Sequence, residues 1–221
     1  TVWQVFCINS LHSIPQNYYD NISDEVLHIF TELKTLRLDI YSSVTDKGLF
    51  NLHSLSHLTL TSLVITDSGL SALKQSLTDL NLDQENISDN SLALQTNLTQ
   101  LSLGRKCSQI SDKSLSRLIN LKSLYLHENI SITDKSLQFL TQLQWLSLSS
   151  NPTITDKSIS NLINLTSLNI SSNRQITDKS LSHLTKLQIL NLDSNTNITD
   201  KGLLPLINLT ELNLRHNENI T

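Results

Sequence analysis

The feature that most constrains this sequence is an internal repeat of 22 residues. The segments 143–164, 165–186 and 187–208 read LQWLSLSSNPTITDKSISNLIN, LTSLNISSNRQITDKSLSHLTK and LQILNLDSNTNITDKGLLPLIN. Similar segments, spaced by 21 to 23 residues, open at Leu33, Leu55, Leu77, Leu98, Leu121, Leu143, Leu165, Leu187 and Leu209. In a chain of 221 residues, a fixed period of this length predicts one elongated stack of repeats.

Each repeat has two halves with different hydrophobic periods. The first half reads L-x-x-L-x-L, so alternate side chains such as Leu168 and Ile170 point to one side of a short strand. The second half, I-T-D-K-x-L-x-x-L, spaces apolar residues by three, which is typical of a helix. We expect Thr177 or Asp178 to cap this helix, with the carboxylate favoured at the positive end of the helix dipole. Stacked repeats of this form pair their strands in parallel.

An asparagine recurs at the ninth place of the later repeats, as Asn129, Asn151, Asn173, Asn195 and Asn217. A buried amide can donate and accept hydrogen bonds at once, so this residue is predicted to join its own turn to the backbone of the neighbouring repeat. Tyr41, Leu63 and Glu85 occupy the ninth place in three early repeats, and Cys107 lies near it in the fourth. We therefore expect the stack to be less regular before Leu121.

The two ends of the chain differ from this pattern. Residues 1–32 are interpreted as a degenerate first repeat or N-terminal cap, with a strand-like segment at Trp3, Phe6 and Ile8 and a helix within 22–30. Residues 33–221 form the array of about nine units, of which the last is truncated. The sequence contains no methionine and stops within a repeat, so we expect it to be a fragment of a longer protein.

The motif L-x-x-L-x-L-x-x-N followed by I-T-D-K-G/S-L resembles the leucine-rich repeat family. The resemblance covers 33–221 and implies an α/β solenoid, a curved horseshoe with a parallel β-sheet on its concave face and short helices on its convex face. The I-T-D-K-G-L element at 198–203 is similar to the cysteine-containing subclass of F-box ubiquitin-ligase adaptors. The 22-residue unit and the Asn-Leu-Thr junctions at 164–166 and 208–210 are similar to internalin-type repeats.

Composition excludes several classes of partner. The net charge of -4 provides no basic surface for nucleic acid or anionic lipid. No apolar run is long enough to span a bilayer, and the first residues do not resemble a signal peptide. The two cysteines, Cys7 and Cys107, lie in different repeats, so we expect a reducing compartment, intracellular and cytoplasmic. Neither a cofactor nor a small-molecule substrate is expected.

Nothing in the sequence predicts catalysis or metal binding. It contains no P-loop, H-E-x-x-H, C-x-x-C or G-x-S-x-G motif, and its histidines do not pair at metal-ligand spacing. The best catalytic candidate is Cys107 beside His127, at neighbouring places in consecutive repeats, because imidazole can activate a thiol. A cysteine near the ladder place is more simply a small buried residue. We therefore expect a protein without enzymatic activity.

The predicted binding surface is the concave sheet, at the third, fifth and seventh places of each repeat. Most of these residues are small and polar, but Tyr125, His127 and Trp145 are predicted to cluster on two adjacent strands, where exposed aromatic residues typically anchor a protein partner. Weaker accessory candidates are Asp79, Asp83, Ile189 and Asp193. The sequence thus predicts a noncatalytic protein-binding module. The alternative is the substrate-recognition part of an F-box-type ubiquitin ligase adaptor.

Overall fold

The computed structural model of the protein describes residues 22–73 and 76–221. The strand-like segment predicted at Trp3, Phe6 and Ile8 lies outside the described residues. The helix predicted within 22–30 is confirmed as α1, which spans Asp24–Leu27. The boundary between a cap at 1–32 and an array at 33–221 remains a prediction.

Nine strands within the described ranges form one parallel sheet whose strand order is the chain order, as the repeat predicted. They are β1 Thr35–Leu38, β2 His57–Leu60, β3 Asp79–Leu82, β4 Gln100–Leu103, β5 Ser123–Leu126, β6 Trp145–Ser147, β7 Ser167–Asn169, β8 Ile189–Asn191 and β9 Glu211–Asn213. The same place of each repeat pairs with the same place of the next, so Leu146 faces Leu168 and Leu168 faces Leu190. Side chains with equal places therefore form straight rows across the sheet.

A short helix follows each of the first eight strands. Beyond α1, the helices of the described chain are α2 Asp46–Leu49, α3 Asp67–Ala72, α4 Asp89–Leu92, α5 Asp112–Leu115, α6 Asp134–Leu137, α7 Asp156–Ile159, α8 Asp178–Leu181 and α9 Asp200–Leu203. The hydroxyl of the residue before each of these eight helices caps it; in α7, Thr155 Oγ1 accepts the N–H of Lys157 at 3.2 Å. The sequence offered Thr177 and Asp178 as capping residues of α8, and the structure shows that Thr177 caps this helix.

The core runs between the sheet and the helices. In the repeat at 165–186, Leu165, Leu168, Ile170, Ile176, Leu181 and Leu184 are all fully buried. A single repeat leaves both flanks of these side chains exposed, and the neighbouring repeats cover them. Full burial of a large aliphatic side chain stabilises the fold by roughly 1.5 to 3 kcal/mol. The sheet is consequently held in place by one continuous apolar core.

Asn173, Asn195 and Asn217 form the predicted ladder, and Asn151 donates to the carbonyl of Leu126 in the preceding repeat. Asn173 is 1% exposed, and its Nδ2 donates to the carbonyl of Asn151 at 2.8 Å while its Oδ1 accepts the N–H of Gln175 at 3.0 Å. Asn195 bonds in the same way to the carbonyl of Asn173. One amide thus closes its own turn and joins the neighbouring repeat.

The turns of the early repeats depart from the later pattern, as the sequence predicted. Tyr41 at the ninth place is 75% exposed, and the buried turn residues are instead its neighbours in each turn: Ser42, Ser62, Gln84 and Cys107. The buried turn residue lies one place later in the repeats at Leu33 and Leu98, and one place earlier in the repeats at Leu55 and Leu77. The expected irregularity does not extend to strands β1 to β4, because each pairs with the next strand over four residues.

The aspartate after each capping residue has a role that the sequence reasoning missed. Asp134 accepts two hydrogen bonds from Thr155 of the next repeat, from its N–H at 3.0 Å and its hydroxyl at 2.6 Å. Its Oδ1 also accepts the hydroxyl of Ser158 at 2.5 Å. We call this arrangement the aspartate clamp. Equivalent pairs are Asp24–Thr45, Asp46–Thr66, Asp67–Ser88, Asp89–Ser111, Asp112–Thr133, Asp156–Thr177, Asp178–Thr199 and Asp200–Thr221.

Unfolding of the protein is expected to become easier below about pH 4. Burial raises the pKa of Asp67, but hydrogen bonds from Ser88 and Ser91 outweigh burial and leave that pKa below its usual value; Asp89 behaves in the same way. A carboxyl whose pKa is lower in the folded state stabilises the fold above its unfolded pKa of about 3.9, and this stability is lost as the pH falls through the folded pKa. Urea midpoints measured between pH 7 and pH 3 should therefore fall at the acid end.

The matched variant for this measurement is Asp67→Asn, which removes one such titrating group and should flatten the acid dependence. A midpoint that is constant or higher at pH 3 would contradict the prediction.

The pKa of Asp79 is shifted in the opposite direction. Burial raises this pKa, and the nearby His57 lowers it by a smaller amount.

Candidate protein-binding surface

The concave face changes character along the sheet. The register places Trp145, Ser167 and Ile189 in one row across β6, β7 and β8. Trp145 is 43% exposed, whereas Ser167 is buried between its two larger neighbours. Two large side chains therefore stand on either side of a small one, which creates a depression in an otherwise level surface.

We call this depression the central groove. Its cavity has a volume of about 240 Å³ and is lined mainly by Tyr125, Trp145, Ser147, Ser167, Asn169 and Ile189. Tyr125 lies in the adjacent row, where it pairs with Ser147, which in turn pairs with Asn169. The groove is lined by uncharged residues, so a partner that fills it removes no charged group from water.

The asparagines beside the groove are held in one orientation. Asn169 Oδ1 accepts the N–H of Ser171 at 3.0 Å, and Asn191 Oδ1 accepts the N–H of Asp193 at 2.9 Å. Because the amide oxygen of each residue is engaged with its own strand end, the NH₂ group is the part of the side chain that is left to act as a donor. The groove thus combines apolar walls with fixed donors that suit carbonyl oxygens of a bound chain.

The structure brings together three of the seven residues proposed from the sequence. Tyr125, Trp145 and Ile189 line the central groove. His127 lies beyond the end of β5 with its side chain 63% exposed, and its Nε2 is 3.7 Å from Glu128 Oε1, so it does not line the groove.

The three aspartates also lie elsewhere. Asp79 is on β3, whereas the groove spans β5 to β8. Asp83 Oδ1 accepts the N–H of Lys106 at 3.4 Å, and Asp193 Oδ1 accepts the hydroxyl of Ser194 at 2.8 Å. Asp83 is therefore bonded to the next repeat, Asp193 is bonded within its own turn, and Asp79 lies apart from the cavity.

Sequence reasoning missed the contribution of Ser167 and Asn169. The sequence analysis named large and charged outward side chains as candidates and passed over the small ones. Smallness is what forms the groove, since Ser167 lies between Trp145 and Ile189. The sequence did contain the signal for the groove, because Trp145, Ser167 and Ile189 occupy the third place of three consecutive repeats and only the middle one is small.

The catalytic candidate Cys107 is buried, and its thiol donates to the carbonyl of Leu82 at 3.3 Å. Burial raises the pKa of the Cys107 thiol to about 11. A nucleophilic cysteine needs a lowered pKa and access to solvent, and Cys107 has neither. The cysteine instead takes the place that asparagine occupies in the later ladder.

Cys107 is therefore expected to resist alkylation in the folded protein. In a Cys7→Ser variant, which leaves a single thiol, iodoacetamide at pH 8 should label Cys107 at least a hundredfold more slowly than it labels the same protein in urea, because the thiolate is scarce and enclosed. Mass spectrometry of timed samples gives both rates. Labelling at equal rates with and without urea would show that the thiol is accessible.

Within 22–73 and 76–221, no three His, Cys, Asp or Glu residues lie close enough together to hold a metal ion. The helices of those same ranges are all too short or too polar to cross a membrane.

The geometry of the repeats agrees with comparisons of the sequence. The BspA type leucine rich repeat region matches six times, over residues 12–144, 71–188 and 119–221. The chain belongs to the leucine-rich repeat family. The resemblance inferred from the L-x-x-L-x-L-x-x-N motif is confirmed, and the BspA type is a subclass that the sequence reasoning did not name. A search of curated protein sequences found no match.

Solved leucine-rich repeat structures resemble this one. The chain is 26% identical to the internalin inlF of Listeria monocytogenes, with a TM-score of 0.63, and the match covers 89% of this chain and 65% of that one. It is 29% identical to internalin C2 of the same organism, with a TM-score of 0.65, and the match covers 90% and 84% of the two chains. A TLR13–ssRNA13 complex, at 23% identity, a TM-score of 0.60 and coverage of 86% and 33%, shares the fold alone.

Proposed function

We propose that this leucine-rich repeat protein is a noncatalytic binding module that holds a protein partner in the central groove. Leucine-rich repeat domains are generally protein-interaction modules. The observation that carries the proposal is the pairing of Trp145 with Ile189 across Ser167, with Tyr125 beside them. Aromatic side chains that are half exposed beside a small uncharged cavity are the usual anchors of protein interfaces.

The groove favours a partner that inserts an apolar side chain. Its apolar walls stabilise such a side chain by burial, at about 25 cal/mol for each Å² removed from water. The donor groups of Asn169 and Asn191 then pair with carbonyl oxygens of the backbone that carries it. The alternative function, in an F-box-type ubiquitin ligase adaptor, remains a prediction, because neither the groove nor the relatives favour it.

The groove is tested with a displayed library of short peptides selected on the folded protein. Enriched peptides are then titrated against a Trp145→Ala, Tyr125→Ala double variant. Interface aromatics that act as anchors contribute about 2 kcal/mol or more each, so the affinity should fall at least thirtyfold. The melting temperature should change little, because Trp145 is 43% exposed and contributes little to the core.

The matched control is a His57→Ala, Thr59→Ala double variant, which alters the same two rows of the sheet on β2, three strands from β5. It should bind the selected peptides like the unaltered protein. Peptides that retain their affinity for the groove variant and lose it for the β2 variant would place the binding surface elsewhere.

A further inference from the structure

A second surface lies at the edge where each repeat enters its strand. Ile119, Ile163 and Ile207 occupy the same place in alternate repeats, whereas the repeats between them carry Thr141 and Thr185. Ile119 is 54% exposed, Ile163 is 52% exposed and Ile207 is 85% exposed. The sequence thus has a period of 44 residues at this edge, superimposed on the period of 22.

The alternation is reinforced by hydrogen bonds. The asparagine after each isoleucine donates to the carbonyl of the residue at the isoleucine place in the preceding repeat: Asn164 Nδ2 to Thr141 at 3.0 Å and Asn208 Nδ2 to Thr185 at 2.8 Å. This bond holds the backbone at the edge and fixes the position of the isoleucine beside it. We call Ile119, Ile163 and Ile207 the edge row.

The spacing of the edge row matches a helix. Adjacent strands lie about 4.8 Å apart, so side chains at the same place two repeats apart are separated by about 10 Å. Seven residues of an α-helix rise about 10.5 Å. A helix laid along the edge would therefore bring apolar residues seven positions apart onto successive isoleucines.

The part of this edge around Ile119 and Ile163 is free of carboxylates. Four consecutive segments that lead from a helix into the next strand contain no Asp or Glu, but they do contain Arg117, Lys122, His183 and Lys186; the segment that carries Ile207 contains Glu211. The segments are 116–124, 138–146, 160–168 and 182–190. The edge therefore carries positive charge beside its apolar row, although the whole chain is acidic.

A cavity of about 370 Å³ lies next to Ile163 on this edge. It is lined by Lys122, Gln142, Gln144, Asn164, Thr166 and Lys186. Lys186 Nζ donates to Asn164 Oδ1 at 2.7 Å, which places one ammonium group at the cavity. The His127–Glu128 pair is the one ion pair in the part of the chain that the structure describes, so neither lysine faces a carboxylate of its own protein.

We propose that this edge binds an amphipathic helix of a partner protein. Apolar side chains of that helix, seven residues apart, pack on the edge row, and an Asp or Glu beside them enters the cavity between Lys122 and Lys186. The carboxylate is recognised by the two ammonium groups and by the NH₂ groups of Gln142 and Gln144. These directional donors favour a carboxylate held by a protein over the surface of a lipid bilayer.

The test uses a fluorescent 22-residue peptide with leucine at every seventh position, glutamate on both sides of each leucine and alanine elsewhere. A second peptide has the same composition in scrambled order. Fluorescence anisotropy should show at least tenfold tighter binding of the patterned peptide. An Ile119→Thr, Ile163→Thr, Ile207→Thr variant should weaken that binding at least tenfold, and its fold should persist because threonine occurs naturally at this place in the repeats between.

A second variant, Lys122→Gln with Lys186→Gln, separates the charge from the apolar contact. It should weaken binding of the patterned peptide at least threefold and reduce the dependence of binding on salt. The Trp145→Ala, Tyr125→Ala variant should bind this peptide as the unaltered protein does, which distinguishes the edge from the central groove. The edge proposal can therefore fail while the proposed function of the central groove stands, and the reverse also holds.

Three results would overturn the proposal. One is equal affinity for the patterned and scrambled peptides, and another is unchanged binding by the threonine variant when its melting temperature equals that of the unaltered protein. The third is sedimentation with phosphatidylglycerol vesicles in the absence of peptide binding, which would assign the edge to a membrane surface.

Discussion

Replacing Asp134 by alanine is expected to lower the free energy of unfolding by about 3 kcal/mol, because hydrogen bonds to a charged group contribute about 1.5 to 3 kcal/mol and their loss leaves donors unpaired. The side chain accepts the N–H and hydroxyl of Thr155 and the hydroxyl of Ser158, so its removal affects three donors of the next repeat. The Thr155 N–H is the most costly of these to leave unpaired, since it precedes a helix that already has free N–H groups.

Urea unfolding followed by circular dichroism measures this effect. Asp134→Asn should cost less than alanine, because its amide oxygen can still accept the N–H of Thr155. The control is Glu85→Ala, which removes an exposed carboxylate and should change the free energy of unfolding by no more than about 0.5 kcal/mol. Equal effects of the Asp134 and Glu85 variants would mean that the aspartate clamp contributes nothing beyond its charge.

The second large effect is expected for Asn173→Ala, which should also cost about 3 kcal/mol. The substitution leaves the carbonyl of Asn151 unpaired in a buried place, at a cost of about 1 to 3 kcal/mol, and removes the acceptor of the partly buried N–H of Gln175. The cavity left by the lost amide adds to this cost. Asn173→Leu would fill the space and still leave both backbone groups unpaired, so it should not restore stability.

The control for Asn173 is Asn161→Ala. Asn161 is exposed, and its Nδ2 donates at 3.4 Å to the carbonyl of Lys157 in the same repeat, so its loss should cost less than about 0.5 kcal/mol. An equally small loss in the free energy of unfolding for Asn173→Ala and Asn161→Ala would contradict the prediction, because it would mean that water replaces the amide of Asn173. In an array where each repeat contacts only its neighbours, the variant is also expected to make the unfolding of the two flanking parts less cooperative.

The sequence predicted the fold well because the repeat itself carries the information. A period of 2 followed by a spacing of three, recurring nine times, leaves one arrangement in which Leu168, Ile170 and their equivalents are all buried. The capping hydroxyl and the ladder amide were predicted for the same reason, since each acts within a motif of a few residues. The outward rows followed from strand alternation, which placed Tyr125 and Trp145 on the concave face.

The remaining features depend on residues that are distant in sequence. The displacement of the ladder place to Ser62 and Gln84 accompanies turns one residue shorter than the later ones, and a fixed template of nine places cannot represent it. The aspartate clamp joins residues 20 to 22 positions apart, so the role of Asp134 was invisible within its own repeat. The groove exists because Ser167 is small and lies between Trp145 and Ile189. Strand alternation alone shows only that the three side chains face the same side of the sheet.

The aspartate clamp and, from Asn173 onward, the asparagine ladder both join a repeat to its immediate neighbour only, with equivalent atoms at each step. An added copy of 165–186 would therefore find matching donors and acceptors at both joints, and the array could be lengthened without redesign of either one. The edge row sets a stricter rule, because an insertion of 22 residues would break the alternation of isoleucine and threonine. An insertion of 44 residues preserves it, so the natural unit of growth for this scaffold is a pair of repeats.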